Sequence, residues 1–217
     1  MLMLLALSAN LATPASLMAP ARPVAPESWM SDDDYPKQSL KNAERGHVFV
    51  SITTSPTGQP LHCEPIFRSA LAKDMCPILL KRARFEPALD AQGAPTFGVY
   101  QHLVTFRIPG TTAPPRPSRA TLALTVDQLP QGIADPTTIR VRLLVDQQGH
   151  SRDCQPMRYE TAQDERAVFL LGPTACAQVS TTMLPIARDE TGRALESVQD
   201  AIISFATPGR MERRRTH

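Results

Sequence analysis

Stretches in which apolar and polar residues alternate recur along the chain. At two places every second residue is apolar, and the two sets are Val48, Val50 and Ile52, and Ile139, Val141 and Leu143. This alternation is typical of a strand with one buried face. A glycine turn follows each stretch, at Gly58 and at Gly149, so we expect a second strand to return antiparallel through Cys63 or Cys154.

Each predicted strand pair is followed by a segment with helical spacing of its apolar residues. In residues 71–83 these residues recur every three or four positions, and Pro77 interrupts the pattern. The counterpart covers residues 162–182, and Gly172-Pro173 is expected to split it. A long final strand then closes each unit, over residues 99–108 or 198–207.

The same residue types mark both units in the same order. Equivalent residues lie 91 to 100 positions apart in these pairs: Gly58 and Gly149, Cys63 and Cys154, Pro65 and Pro156, Cys76 and Cys176, Gly93 and Gly192, and Phe106 and Phe205. An Asp-x-x-Gly turn is also repeated, at residues 90–93 and 189–192. Unrelated β-rich segments would not share cysteine, glycine and proline in one order, so we interpret the chain as two copies of one unit.

The order strand, strand, helix, strand predicts an α+β fold in which each unit is a small antiparallel sheet with a helix packed on one face. We place the units at residues 27–109 and 120–208. A proline-rich linker, residues 110–119, separates them and is expected to be extended. Residues 1–26 are assigned to a signal peptide or disordered leader, and residues 209–217 to a basic tail.

Composition and charge narrow the class of protein. The chain has 217 residues, 21 of them proline, and a net charge of +2, which gives no electrostatic case for nucleic-acid binding. The apolar run from Met1 to about Ala12 is too short to span a bilayer. It matches a secretory signal peptide with cleavage near Ala19 or Ala25, although no basic residue precedes it. The alternative is a disordered alanine- and proline-rich leader.

The four cysteines support export, and four cysteines allow three pairings. One cysteine of each unit lies on the second strand and the other in the helix, so the bonds Cys63–Cys76 and Cys154–Cys176 would join helix to sheet. Each is expected to stabilise the fold by about 3 kcal/mol. A metal site is the rival interpretation. It lacks support because no tight Cys/His pair occurs and His62 stands alone.

The first unit resembles the C-terminal domain of the TonB energy-transducer family over residues 34–108. The landmarks occur in the family's order and spacing, and are Tyr35-Pro36, Gly46, Gly58, Arg84-Phe85-Glu86-Pro87-Ala88, Gly93 and Phe106. The second unit resembles a degenerate copy, because it has Leu184-Pro185 where Phe85-Glu86 stands. The chain is thus interpreted as two tandem units of this type.

The resemblance implies a periplasmic module that captures an extended segment of an outer-membrane receptor by strand addition, with a link to TonB-dependent transport. An exposed strand edge offers unpaired N–H and C=O groups to such a segment. The final strand of the first unit, residues 97–108, is the candidate. Val99, Gln101 and Leu103 are expected to pair with the partner, and Tyr35-Pro36 is placed near the docking end by the family likeness. The chain shows no membrane anchor, so energy coupling does not follow from the resemblance.

Two alternatives remain open. In the first, the two copies pair with each other, and Val99, Gln101 and Leu103 then have only a structural role within the sheet. The protein is then an envelope scaffold or dimerisation unit. An enzyme is not expected, because the common nucleophile, metalloprotease and phosphate-loop motifs are missing, and no cofactor or metal is predicted. The acidic run Asp32-Asp33-Asp34 and the arginines of the tail are interpreted as solvated.

Overall fold

The computed structural model describes residues 17–72, 74–112, 115, 120–157 and 162–208, with no side-chain description for residues 162–164. Most of the predicted leader, much of the linker and the basic tail lie outside these residues. The predictions made for them stay predictions.

The first half of the chain contains seven strands and two α-helices within the described residues, besides short 3-10 turns. In chain order they are β1 (Arg22–Pro23), α1 (Lys37–Lys41), β2 (Gly46–Thr54), β3 (Pro60–Pro65), α2 (Met75–Arg82), β4 (Phe85–Glu86), β5 (Ala88–Leu89), β6 (Pro95–Thr96) and β7 (Gly98–Phe106).

The second half repeats the strand–strand–helix–hairpin–strand order. Its elements are β8 (Leu122–Thr125), β9 (Thr137–Val145), β10 (Ser151–Pro156), α3 (Ala162–Ser180), β11 (Ala187–Arg188), β12 (Ala194–Leu195) and β13 (Ser197–Ala206). The mixed α+β class predicted from the sequence is therefore confirmed.

Strands from both halves lie in one seven-stranded sheet. Its order is β10-β9-β13-β7-β2-β3, with β8 also paired to β13. Neighbouring strands run antiparallel, except that β13 pairs in parallel with β7 of the first half and with β8 of its own half. The expectation of one small antiparallel sheet per unit therefore misses the connection between the halves. Local sequence patterns carry no signal for a parallel pair formed between residues 100 positions apart.

The two helices pack on opposite faces of this sheet. Met75 and Leu79 of α2 lie in one buried cluster with Val50 of β2, whereas Val179 of α3 clusters with Val141 of β9. Strand side chains alternate between faces, and Val198 of β13 belongs to the α2 cluster while Ala201 and Ile203 belong to the α3 cluster. The parallel junction between β7 and β13 relates the halves so that their helices lie on opposite faces.

Each half also covers part of the other. Ala88 of the β5–β6 hairpin lies in the same buried cluster as Val198 of β13. In return, Ala187 and Leu195 of the β11–β12 hairpin pack against Val99 of β7. Each hairpin thus also contacts the last strand of the other half, so the cores of the two halves are joined where β7 and β13 meet.

Four turns of the same construction explain the repeated Asp-x-x-Gly phrase. The side-chain oxygen of Asp90, Asp146 or Asp189 accepts the N–H groups two and four residues later, at 2.9 to 3.0 Å, and Ser55 does so at 3.2 and 3.0 Å. A glycine with positive φ follows in each turn, and these are Gly58, Gly93, Gly149 and Gly192. The side chain fixes the turn and glycine supplies the left-handed residue.

The prolines of the two helices behave differently from expectation. Pro77 lies in the first turn of α2, where the missing N–H has no helical partner to lose. Residues 162–180 form one helix with Pro173 inside it, so the predicted split at Gly172-Pro173 is wrong. Buried Ala175 and Val179 hold the turns after the proline against the sheet, and this packing outweighs a proline penalty of about 3 kcal/mol.

Both predicted disulfides are confirmed. Cys63 of β3 is bonded to Cys76 of α2, and Cys154 of β10 to Cys176 of α3, with Cα–Cα distances of 5.3 and 5.7 Å. Each bond ties a helix to the outermost strand of its own half.

Residues 17–24 belong to the packed fold. Met18 and Ala21 are buried, Ala19 bridges to Leu89, and β1 pairs with β4. The predicted leader boundary at residue 26 therefore falls within packed structure. Alanine- and proline-rich composition gives no hint that so short a segment has strand partners about 60 residues later.

Candidate protein-interaction site

Strands β7 and β13 separate soon after they meet. They pair only at Gly98–Val198 and Val99–Gln199 within the described residues. From Ile203 onward β13 pairs with β8 instead. Thr121 stands at the point of divergence, where its N–H donates to the Ile202 carbonyl at 2.7 Å.

The edge of β7 that faces away from β2 is open beyond this point. The Phe97 carbonyl accepts the Val198 N–H at 2.9 Å, so Phe97 directs its main-chain groups toward β13. Main-chain direction alternates along a strand, and Gln101, Leu103 and Thr105 therefore face the same side. No described residue pairs with their main chain there. We refer to the outward main-chain groups of these three residues as the open edge.

The equivalent edge in the second half is filled. Strand β8 runs parallel to β13, and Leu122–Thr125 pair with Ile203–Ala206. Phe205 of β13 is the repeat equivalent of Phe106 in β7, which makes Ile202 and Ser204 the equivalents of Leu103 and Thr105. The first half contributes β3, β2 and β7 to the sheet, and the second half contributes the equivalent β10, β9 and β13 and in addition β8. The first half thus has an open edge at the position that β8 occupies in the second half.

The three residues predicted to pair with a partner have different positions. Val99 is already paired with Gln199, so its predicted availability is wrong, because β7 lies inside the sheet at this position. Gln101 and Leu103 lie on the open edge, and Gln101 is exposed. Thr105 joins them, although the sequence analysis did not name it.

Tyr35 and Pro36 lie near the opposite end of β7 from Val99. The Tyr35 ring meets the Phe106 ring edge-on, with 5.1 Å between centroids, and its hydroxyl donates to the Glu44 carbonyl. These contacts hold the segment before α1 against the end of β7. Direct contact with a partner stays a prediction for both residues.

Trp29 is a residue that the sequence analysis missed. It is buried beside β7, with its ring centroid 6.1 Å from that of Tyr100 and 5.2 Å from that of His102. Its indole N–H donates to the Val24 carbonyl at 3.0 Å. The side chain packs on the α2 face of β7. Its being the only tryptophan of the chain was the available signal.

An apolar groove adjoins the open edge on the α3 face of the sheet. Its volume is about 490 Å³, and the residues that define it here are Phe49, Ile66, Phe67, Gln101, Met183 and Pro185. The first half supplies the residues from β2, β7 and the end of β3, and the second half supplies the segment after α3. Phe67 and Met183 are unusually exposed for apolar residues, at 71% and 63%.

A smaller cleft of about 270 Å³ lies at the same divergence, lined by residues 20–23 and by residues of β7 and β13. Beside it, the Arg142 guanidinium contacts an Asp200 carboxylate oxygen at 3.1 Å and donates to the Met18 carbonyl at 3.0 Å. Arg142 thereby fastens residues 17–24 to the second half of the sheet. The sequence showed this arginine only as the polar partner of an alternating strand.

Two acidic residues near these elements have lowered pKa values. A hydrogen bond from Arg82, at 2.6 Å, and another from the Ser31 N–H hold the pKa of Asp34 below its usual range. Hydrogen bonds from the Thr191 hydroxyl and from Arg193 lower the pKa of Asp189 to about 2. Asp34 thus has a structural partner, and Asp189 stabilises the β11–β12 hairpin that covers Val99.

Within the described ranges, no group of three or more His, Cys, Asp or Glu residues is placed to hold a metal ion. In the same part of the chain, no helix has the length and apolar character needed to cross a membrane. Comparison with protein-family models, curated proteins and solved structures finds no match for this chain. The resemblance to TonB C-terminal domains therefore stays a hypothesis based on the quoted landmarks.

Proposed function

We propose that the protein binds an extended segment of an envelope or outer-membrane protein by strand addition to the open edge of β7. One observation carries this proposal. The outer edge of β13 is paired with β8, whereas the equivalent edge of β7, at Gln101, Leu103 and Thr105, is paired with no strand among the described residues. Unpaired strand edges are sites of peptide addition.

The conformation and direction of β8 indicate how a ligand would bind at the open edge. Strand β8 is extended, runs parallel to the strand it joins, and its Leu122 and Leu124 pack against the α3 core. A partner at the open edge is expected to run parallel to β7 in the same way. Main-chain hydrogen bonds supply affinity, and alternate side chains supply selectivity.

The periplasm is the proposed compartment. Two disulfides join the helices to the sheet, and such bonds persist in oxidising compartments. The apolar run at the start of the sequence supports export. The resemblance to TonB C-terminal domains adds the proposal that the partner takes part in TonB-dependent transport. Tyr35-Pro36 then marks the end of β7 toward which the partner runs.

The test uses a peptide copied from β8. The probe is acetyl-ATLALTVD-amide, the sequence of residues 120–127, titrated into the ¹⁵N-labelled protein. Binding at the open edge is expected to shift the amide signals of Gln101, Leu103 and Thr105 more than those of Ile202 and Ser204, which already have β8 as neighbour.

Methylated peptides provide a matched control. The Val126 N–H donates to the Ala206 carbonyl at 3.0 Å, and by alternation the N–H groups of Leu122 and Leu124 also face β13. N-methylation at the two leucines is expected to abolish binding, whereas N-methylation at the Ala123 and Thr125 positions is expected to preserve it. No shift at saturating peptide, or equal effects of both methylation patterns, would refute strand addition.

The second candidate is an envelope scaffold or dimerisation unit. The observation that favours it is the same open edge, which a second copy of the chain can occupy in place of a foreign peptide. Analytical ultracentrifugation of the unmodified protein separates the two functions. A stable dimer whose open-edge amides are protected from exchange would favour the scaffold.

A further inference from the structure

We infer that the second half of the chain forms one wall of a side-chain pocket, the apolar groove, which selects partners with an aliphatic or aromatic residue beside Gln101. This inference rests on the proposed strand addition and adds the specificity of that same site. It assigns the second half a role in recognition.

The groove is continuous with the open edge. Gln101 belongs to both, since its main chain faces outward and it lines the groove, and alternation along β7 directs its side chain to the α3 face. Phe49 lies opposite Leu103 in the β2–β7 pair and directs its side chain to the same face. A strand added to β7 must therefore project every second side chain along the α3 face, where the groove begins.

The residues that line the groove indicate which kind of peptide side chain it can bind. Ile66, Phe67 and Met183 are 41%, 71% and 63% exposed, and all three border this one groove. Clustered apolar exposure of this kind marks an interaction site. Glu64 at the border is the acidic group of the lining and disfavours an acidic side chain. An aliphatic or aromatic side chain fits these surroundings.

The register of β8 predicts which peptide position enters the groove. Leu122 pairs with Ile203, whose repeat equivalent in β7 is Val104. Gln101 lies three residues before Val104. In a parallel peptide of the same register, the residue three positions before the leucine therefore lies beside Gln101. The side chain at that position faces α3, because Gln101 and Phe49 do.

The experiment uses nine-residue peptides acetyl-XATLALTVD-amide and the full chain, with X being Leu, Phe, Ala or Asp. Kd is measured by fluorescence anisotropy. Burial of such an apolar side chain favours binding, so the Leu and Phe peptides should bind at least about tenfold tighter than the Asp peptide, with Ala between them.

Two variants of the protein assign the effect to the groove. Met183→Asp is expected to weaken the Leu peptide about tenfold or more and to leave the Ala peptide nearly unchanged. Phe169→Asp is the matched control, because Phe169 is 80% exposed on α3 and lies outside the groove. It should change neither Kd. Both substitutions are at exposed positions, and circular dichroism verifies that each variant is folded.

The outcomes distinguish this inference from the proposal beneath it. Equal Kd values for all X, or an unchanged Leu/Ala ratio in Met183→Asp, with open-edge amide shifts retained, would overturn the groove and leave strand addition standing. Absence of binding for every peptide would overturn both. Shifts confined to Ile202 and Ser204 would mean that the peptide displaces β8, which also contradicts the inference.

Discussion

Val99 of β7 lies opposite Gln199 of β13 in a parallel pair, and through this contact and its neighbour Gly98–Val198 the described sheet passes from one half of the chain to the other. The contact is short, yet buried side chains from both hairpins surround it. The two halves are therefore expected to depend on each other for stability.

This dependence predicts a single unfolding transition. Leu143→Ala in the second half removes a fully buried side chain and should lower the free energy of unfolding by about 2–5 kcal/mol. Trp29, the only tryptophan, reports on the first half. Its fluorescence in urea should show the same lowered midpoint as far-ultraviolet circular dichroism. An unchanged Trp29 midpoint would mean that the halves unfold separately.

The turn at Gly58 predicts a large effect of one methyl group. A Cβ at this position would stand 1.8 Å from the Phe85 carbonyl oxygen, and φ is +77°. Gly58→Ala should destabilise the protein by more than about 3 kcal/mol, from strain and the displaced main chain. Gly132→Ala is the control, since φ is +83° and nothing lies within 4 Å. It should cost about 1 kcal/mol in urea denaturation.

The Asp189 carboxylate predicts acid sensitivity. Its folded pKa of about 2 lies below the unfolded value of about 3.9, so the charged form stabilises the fold fully above pH 4. That contribution is lost as the pH falls from about 4 to about 2. Asp189→Asn should lower Tm at pH 7, and its difference from wild type should shrink across this window. Glu190→Gln removes an exposed carboxylate from the same turn and should leave Tm at pH 7 nearly unchanged.

Loss of the Arg142 contacts should release residues 17–24 locally from the sheet. Arg142→Met removes the hydrogen bond to the Met18 carbonyl and leaves Asp200 without this partner, at an expected cost of about 2 kcal/mol. Hydrogen exchange at the Leu17 and Ala19 amides should accelerate. Arg140→Met, on the same strand face, serves as control. Equal exchange in both variants would contradict the fastening role of Arg142.

The disulfides predict matched losses in the two halves. Paired replacement of Cys63 and Cys76 by serine should lower the free energy of unfolding by about 3 kcal/mol, and replacement of Cys154 and Cys176 should have a similar effect. Urea denaturation with and without reductant measures both. Reductant should further destabilise each double variant through the remaining bond, and a double variant as stable as the wild type would contradict the prediction.

Local patterns were sufficient for the main strands, for the positions of α2 and α3 and for the disulfides, but not for β1 or β8. Alternation at Val48, Val50 and Ile52 predicted β2, and the repeated cysteine positions predicted which sulfurs meet. The continuous helix through Pro173 was not predictable from proline chemistry alone. Its stability comes from burial against strands that are distant in the sequence.

The candidate site was only partly predictable for the same reason. Gln101 and Leu103 could be named from the sequence because they alternate along one predicted strand whose edge was expected to be exposed. The pairing of Val99, the neighbouring strand β8 and the contribution of Met183 depend on how the halves meet. A period of two along one strand contains no information about a partner strand from the other copy.

The reciprocal hairpin contacts have a consequence for dissection of the chain. A fragment with residues 17–112 alone would leave Val99 without the Ala187 and Leu195 that pack against it, and a fragment with residues 120–208 alone would leave Val198 without Ala88. Neither fragment is therefore a faithful substitute for the full chain in measurements of binding or stability.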